Sequence, residues 1–127
     1  MPASLISQIK PVCMNIDALH HWRRVSSVAL QLPGAELSSS YGTPAVKVKK
    51  KLFARLKEDG HTLVVFSNER DTWMKCNSAI FFITDHYRNY PMLLINLELV
   101  SAKDLAALVL ASWQITAPAQ LQQKKKK

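Results

Sequence analysis

Glycine is scarce in this chain: there are three in 127 residues, and none falls in a G-x-G-x-x-G or Walker spacing. A phosphate cradle made of backbone N–H groups therefore has no candidate, which excludes the nucleotide-binding folds that depend on one. Cysteine is scarcer still. Cys13 and Cys76 are far apart, with no C-x-x-C and no ligand spacing around them, which argues against a zinc site and against a disulfide framework. His20, His21 and His61 have no carboxylate or cysteine at ligand distance along the chain. Paired acids occur only as Glu58-Asp59 and Glu69/Asp71, in turn or cap positions. No catalytic residue, metal or cofactor is expected, and the protein reads as no enzyme. Long apolar runs are missing too: no window approaches 18 uninterrupted apolar residues, so no membrane span is expected. Residues 1–14 hold one cation, Lys10, and no continuous apolar segment, so no secretory leader is expected and a reduced cytoplasmic setting is the simplest expectation. Hydrophobic residues still make up 48% of the chain, enough to exclude a disordered protein.

Acids are few: nine against seventeen Lys and Arg, a formal net charge of +8. The excess is local. Four cations form the terminal run 124–127, and six more lie in the eleven residues 47–57, a stretch with no acid. Outside these two segments seven cations face nine acids. A patch of this kind points to a polyanionic partner more than an even solubilising charge does.

The periodicity organises the chain. Ile16, Leu19, Trp22, Val25, Ala29 and Leu32 recur at threes and fours, which predicts a helix over 16–32. Asn15 or Asp17 can cap it, Pro33-Gly34 ends it, and His20, His21, Arg23 and Arg24 fall mainly on its wet face. Alternation then predicts strands through 35–66, with turns at 41–44 and Asp59-Gly60. A short helix from Asn68 to Lys75 follows, then strands over 80–84 and 92–97. Ser101-x-x-Asp104 opens a last helix with the face Leu105, Leu108, Val109, Ser112 and Trp113. The order predicts one α+β domain over 15–118: a two-layer arrangement with helices packed on one face of an antiparallel sheet. Residues 1–14 form an N-terminal extension, and 119–127 a flexible Gln/Lys tail.

The segment 46–57 carries the sharpest physical argument. Val46, Val48, Leu52, Ala54 and Leu56 alternate with Lys47, Lys49, Lys51, Phe53 and Arg55. A three-residue turn pairs Val48 with Leu52 and keeps the apolar set on one face; a two-residue turn at Lys49-Lys50 pairs Val48 with Lys51. The apolar pattern favours the former. In both, lysines crown a short hairpin, and Lys47, Lys49, Lys50, Lys51, Arg55 and Lys57 become candidate phosphate contacts, with Phe53 available to stack on an unpaired base. DNA, bound without strong sequence preference, is the expected partner. The competing reading is a solvated hairpin whose lysines protect a sheet edge.

A second cluster lies in the loop 84–91, where His86, Tyr87, Arg88 and Tyr90 fall within five residues. With Tyr41 these form a possible ligand pocket, the basis of an alternative reading as a non-catalytic ligand- or protein-binding module. Otherwise Tyr87 and Tyr90 pack against the helices. Tyr90-Pro91 is a candidate cis bond, with trans the default.

Leu32-Pro33-Gly34, the stretch from Ser40 to Val48, Lys51-Leu52-Phe53-Ala54-Arg55-Leu56 with Asp59-Gly60, Phe81-Phe82-Ile83-Thr84 and His86-Tyr87-Arg88-Asn89-Tyr90-Pro91 together resemble the MmcQ/YjbR family of small bacterial proteins. The likeness covers roughly residues 22–118. It implies a YjbR-like α+β fold, similar to frataxin-like and secretion-chaperone-like arrangements, and DNA binding of the double-wing kind, without catalysis or cofactor. Lys50 stands where the family usually has a turn glycine, and Asn96 where a basic residue is frequent.

Overall fold

A computed structural model describes residues 16–40 and 42–121, with side chains from residue 18 onward. The 1–14 extension, Tyr41, the helix-capping side chains of Asn15 and Asp17, and the lysines of 124–127 lie outside the described residues.

The chain runs α1 (Ile16–Ala29), β1 (Ala35–Ser40), β2 (Thr43–Val48), β3 (Lys51–Leu56), β4 (Thr62–Phe66), α2 (Arg70–Cys76), β5 (Phe81–Phe82), a single 3₁₀ turn (Asp85–Tyr87), β6 (Met92–Asn96) and α3 (Ala102–Thr116). All six strands form one antiparallel sheet in the order β1-β2-β3-β4-β6-β5. The fold is α+β, as expected. The helices lie on one face, where Val46, Val48, Leu56, Leu63, Val65, Leu93 and Ile95 meet Trp22, Val25 and Ala29 of α1 and the buried stripe of α3. That stripe is the expected one, Leu105, Leu108, Val109, Ser112 and Trp113. Ser101 caps it as expected: its Oγ accepts from the Asp104 N–H at 3.1 Å.

α1 is buried over a wider arc than its apolar stripe. His21, expected on the wet face, is 8% exposed. Arg24, also expected there, donates from Nη1 to the Leu97 carbonyl at 2.8 Å and from Nη2 to that of Val100 at 3.0 Å. Both carbonyls lie in the connection that follows β6, so a guanidinium ties α1 to the approach of α3. Leu121, in the segment expected to be a tail, packs on the core.

The β3–β4 turn follows Asp59-Gly60 as expected, but as a longer loop. The Lys57 N–H bonds the Thr62 carbonyl at 2.8 Å, and Asp59 accepts from His61 N, Thr62 N and Thr62 Oγ1. Partial burial pushes the Asp59 carboxyl up; the hydrogen bonds from His61 and Thr62, with the charge interaction with His61, outweigh it, so the group is held below its ordinary range. Gly60 has φ +81° and lies against α1: a Cβ there would meet that of Ala18 at 2.8 Å.

The hairpin of interest departs from the favoured register. Val48 pairs with Lys51 across a two-residue turn, then Lys47 with Leu52, Val46 with Ala54 and Ala45 with Arg55. The register shifts after Val46, so β3 carries one extra residue, a bulge at Phe53. The bulge serves both demands that the alternation set against each other: a tight turn at Lys49-Lys50, and Val46, Ala54 and Leu56 kept on the helix face. Phe53 is the residue displaced. It is 1% exposed and sits among the helix-face core, so it is not an exposed side chain among the cations.

The bulge also explains a serine on the apolar face of α3. Continuing the β3–β4 ladder from the pairs Leu56–Leu63 and Ala54–Val65 would bring Phe53 opposite Phe66, but the ladder stops at Val65. Ser112 Oγ bridges the gap, donating to the Phe53 carbonyl at 2.5 Å and accepting from the Phe66 N–H at 3.0 Å.

Candidate nucleic-acid interface

Lys49 and Lys50 form the tip of the β2–β3 hairpin, with φ +51° and +70°. Positive φ at both central residues is the mark of a primed turn, whose twist matches the flanking strands and which normally recruits Asn-Gly. Two lysines are held there at the expense of backbone strain. Lys50→Gly is therefore expected to raise folding stability by about 1 kcal/mol while removing one charge and about 0.9 from the salt slope of polyanion binding. Urea denaturation and a salt titration check the two halves separately.

Lys49, Lys50 and Lys51 are exposed; Lys47 and Lys57 are half-buried. Among the described residues, the ion pairs are Arg55–Glu58 at 3.6 Å, His61–Asp59 at 3.8 Å and Arg88–Asp85 at 2.6 Å. None of the five hairpin lysines takes part in one. Glu36 lies opposite Lys47 in the β1–β2 register without closing a pair.

Arg55 does not share the exposed tip. It is 7% exposed on the sheet face away from the helices, where Nη1 donates to Thr43 Oγ1 at 3.2 Å and Nη2 to the Tyr87 hydroxyl at 3.3 Å. The bulge separates it from Phe53 by facing: the even pattern of 47, 49, 51, 53, 55 and 57 breaks into Lys47, Arg55 and Lys57 on the open face, three lysines at the tip, and Phe53 inside.

The loop between β5 and β6 lies over this second face. Tyr87 is 7% exposed and packs with Val64 and Leu94, flanked by Phe82, Ile83 and Met92. It is buried, as the bland reading of the loop expects, but on the sheet and not against the helices. Tyr90 is 54% exposed, and His86 is exposed with its ring edge-on to Tyr87 at 4.8 Å. All described peptide bonds are trans, Tyr90-Pro91 included.

Arg70, which opens α2, holds the loop. Its guanidinium donates from Nη1 to the carbonyls of Tyr87 (3.0 Å), Tyr90 and Met92 (3.2 Å), and from Nη2 to that of Arg88 (2.6 Å). The planar fork adds a charged donor to carbonyls of a tight loop, two of which, those of Tyr87 and Tyr90, also accept from the Tyr90 and Met92 N–H groups at 3.1 Å and 2.7 Å. Sequence reasoning passed over Arg70 because its acceptors lie 17 to 22 residues away and are all main chain.

These elements leave an open cavity of about 600 Å³ on the second face. Leu52, Val64 and Met92 line it with apolar surface, His86, Tyr87 and Tyr90 with rings, and Arg55, Lys57 and Glu58 with charge. Lys57 Nζ stands 5.7 Å from the centre of the Tyr87 ring, a cation–π distance. Two of the predicted hairpin cations, Arg55 and Lys57, thus meet the loop aromatics at one place, while Lys47, Lys49, Lys50 and Lys51 do not line it. Arg88 does not join them: it pairs with Asp85 and lines a separate depression with Asn89 and Pro91. Tyr41 lies outside the described residues.

Among the described residues no group of three or more His, Cys, Asp or Glu side chains could hold a metal ion, and no helix is long and apolar enough to cross a membrane. Comparison with protein-family models, with curated proteins and with solved structures gives no match to this chain.

Proposed function

We propose that this protein binds nucleic acid, DNA in the first place, by contacting phosphates with the β2–β3 hairpin and without strong sequence preference. The observation that carries the reading is the set of lysines 47, 49, 50, 51 and 57, none of which is neutralised by a carboxylate among the described residues. Exposed ammonium groups on a protruding turn reach phosphates and release counterions, which supplies affinity independent of base identity. The presence of lysine at two positive-φ positions favours the same reading over simple edge protection, because exposed charge alone does not require a strained turn. The resemblance to MmcQ/YjbR proteins points the same way and suggests a bacterial, cytoplasmic setting.

A salt titration of duplex binding tests the proposal. With about four phosphates engaged, log K should fall against log salt with a slope near −4. Changing Lys49, Lys50 and Lys51 together to Gln should flatten that slope by about two to three units. Unchanged binding by this variant removes the hairpin from the interaction.

The cavity beneath Tyr90 supports a second reading, a small-ligand- or protein-binding module without catalysis. It has the concave, mostly apolar lining with a few convergent polar groups that such sites use. Saturable, salt-insensitive binding of an uncharged aromatic compound would favour it.

A further inference from the structure

We propose that the nucleic acid taken up is single-stranded, with one unpaired base seated in the open-face cavity and its backbone following the lysines of the hairpin. This rests on the nucleic-acid reading above and adds the form of the polymer and the site of a base.

Two chemistries adjoin here. The cavity has an apolar floor of Leu52, Val64 and Met92 and an exposed ring, Tyr90, at its rim. The Tyr90 and His86 rings are tilted by 40° with centres 6.4 Å apart, so they do not lie flat against each other. A flat aromatic guest covers apolar surface and a ring face that are otherwise wet, which is the energetic basis of base–aromatic stacking. Glu58 stands at the wall, exposed and 3.6 Å from the buried Arg55, and offers a carboxylate acceptor to the polar edge of such a guest.

Charge complementarity identifies what the ring belongs to. Leu52 in the cavity is next in sequence to Lys51 at the tip, and Lys57 borders the cavity at the far end of β3. Lys51 and Lys57 lie up to roughly 20 Å apart along the strand at about 3.3 Å per residue, one accessible cation at each end of the cavity and a spacing longer than any one nucleotide. A base within a duplex is stacked on both faces and paired at its edge, and cannot enter. The cavity and the lysines at its two ends together fit a single strand.

The test measures fluorescence anisotropy of the full chain with a labelled oligothymidylate and with a labelled duplex of the same length, at low salt. Tyr90→Ala should weaken single-strand binding about tenfold and leave duplex binding within about twofold, while Tyr90→Phe keeps both. Tyr90 is exposed, so its removal leaves the core intact. Unchanged single-strand binding by Tyr90→Ala, or an equal loss on both polymers, overturns the base site and leaves phosphate binding standing. Failure of the unsubstituted protein to bind either polymer overturns the nucleic-acid reading itself. Thymidine monophosphate displacing the oligomer as well as unlabelled oligomer does would show that the cavity takes a free nucleotide, and would overturn the assignment to a strand.

Discussion

Phe53→Ala should cost about 3–5 kcal/mol of folding stability and should not, in the protein that remains folded, weaken nucleic-acid binding. Along the sequence Phe53 is set among Lys49, Lys51, Arg55 and Lys57, the position from which an aromatic would stack on a base. The bulge turns it to the other side of the sheet, where it is 1% exposed in the helix-face core. Truncation leaves a cavity there, and the surroundings have little freedom to close it because Ser112 links the Phe53 carbonyl to the Phe66 N–H. Phe53→Leu, which keeps most of the volume, should cost less than about 1.5 kcal/mol. Urea denaturation measures the loss, and anisotropy at low temperature measures binding of the folded fraction. A Phe53→Ala variant of full stability with impaired binding would return Phe53 to the interface.

The second large effect belongs to Arg70. Arg70→Ala should lower the stability of the loop 84–91 by about 2–3 kcal/mol, reflecting charge-assisted hydrogen bonds offset in part by water reaching the freed carbonyls. Four carbonyls, those of Tyr87, Arg88, Tyr90 and Met92, lose one shared donor. Native-state hydrogen exchange should show amide protection in 84–91 falling about 30- to 150-fold, with the strands of the sheet less affected. Tyr87 and Tyr90 are carried by that loop, so single-strand affinity should fall as well, although Arg70 lies outside the cavity lining. Arg70→Lys should recover little, since an ammonium lacks the planar fork that reaches carbonyls on two nitrogens. Uniform loss of protection across the molecule would show that the loop is no separate unit and that Arg70 acts on global stability.

How far the sequence could be read depends on the range of the interactions involved. The α3 face was fully legible: five positions at helical spacing, a Ser cap and a following Pro are all encoded within a few residues. The α1 stripe was legible as well, yet His21 and Arg24 were misplaced on its wet face, because what covers them comes from elsewhere in the chain, residues 97–100 in the case of Arg24. The six hairpin cations could be read as a cluster, but their facing could not. Period-two alternation predicts sides only while the ladder is regular, and one extra residue at Phe53 changes the facing of the residues between it and the turn while leaving Ala54 and Leu56 on the helix face. For the same reason Leu52, assigned to the helix face, instead lines the open one.

The candidate site shows the same division. His86, Tyr87 and Tyr90 were recognisable as a loop of unusual composition, and the hairpin as an unusual concentration of charge, from residue types alone. That the two share a surface follows from β4 and β6 being neighbours in the sheet, which brings Val64 and Met92 under the loop and sets Arg55 against the Tyr87 hydroxyl. Composition, periodicity and local capping determine what each segment is, because those signals act within a turn or two of chain. Strand order, the bulge and the carbonyls gathered by Arg70 were decided by tertiary structure, since each satisfies groups far apart in sequence that only the assembled sheet brings within bonding distance.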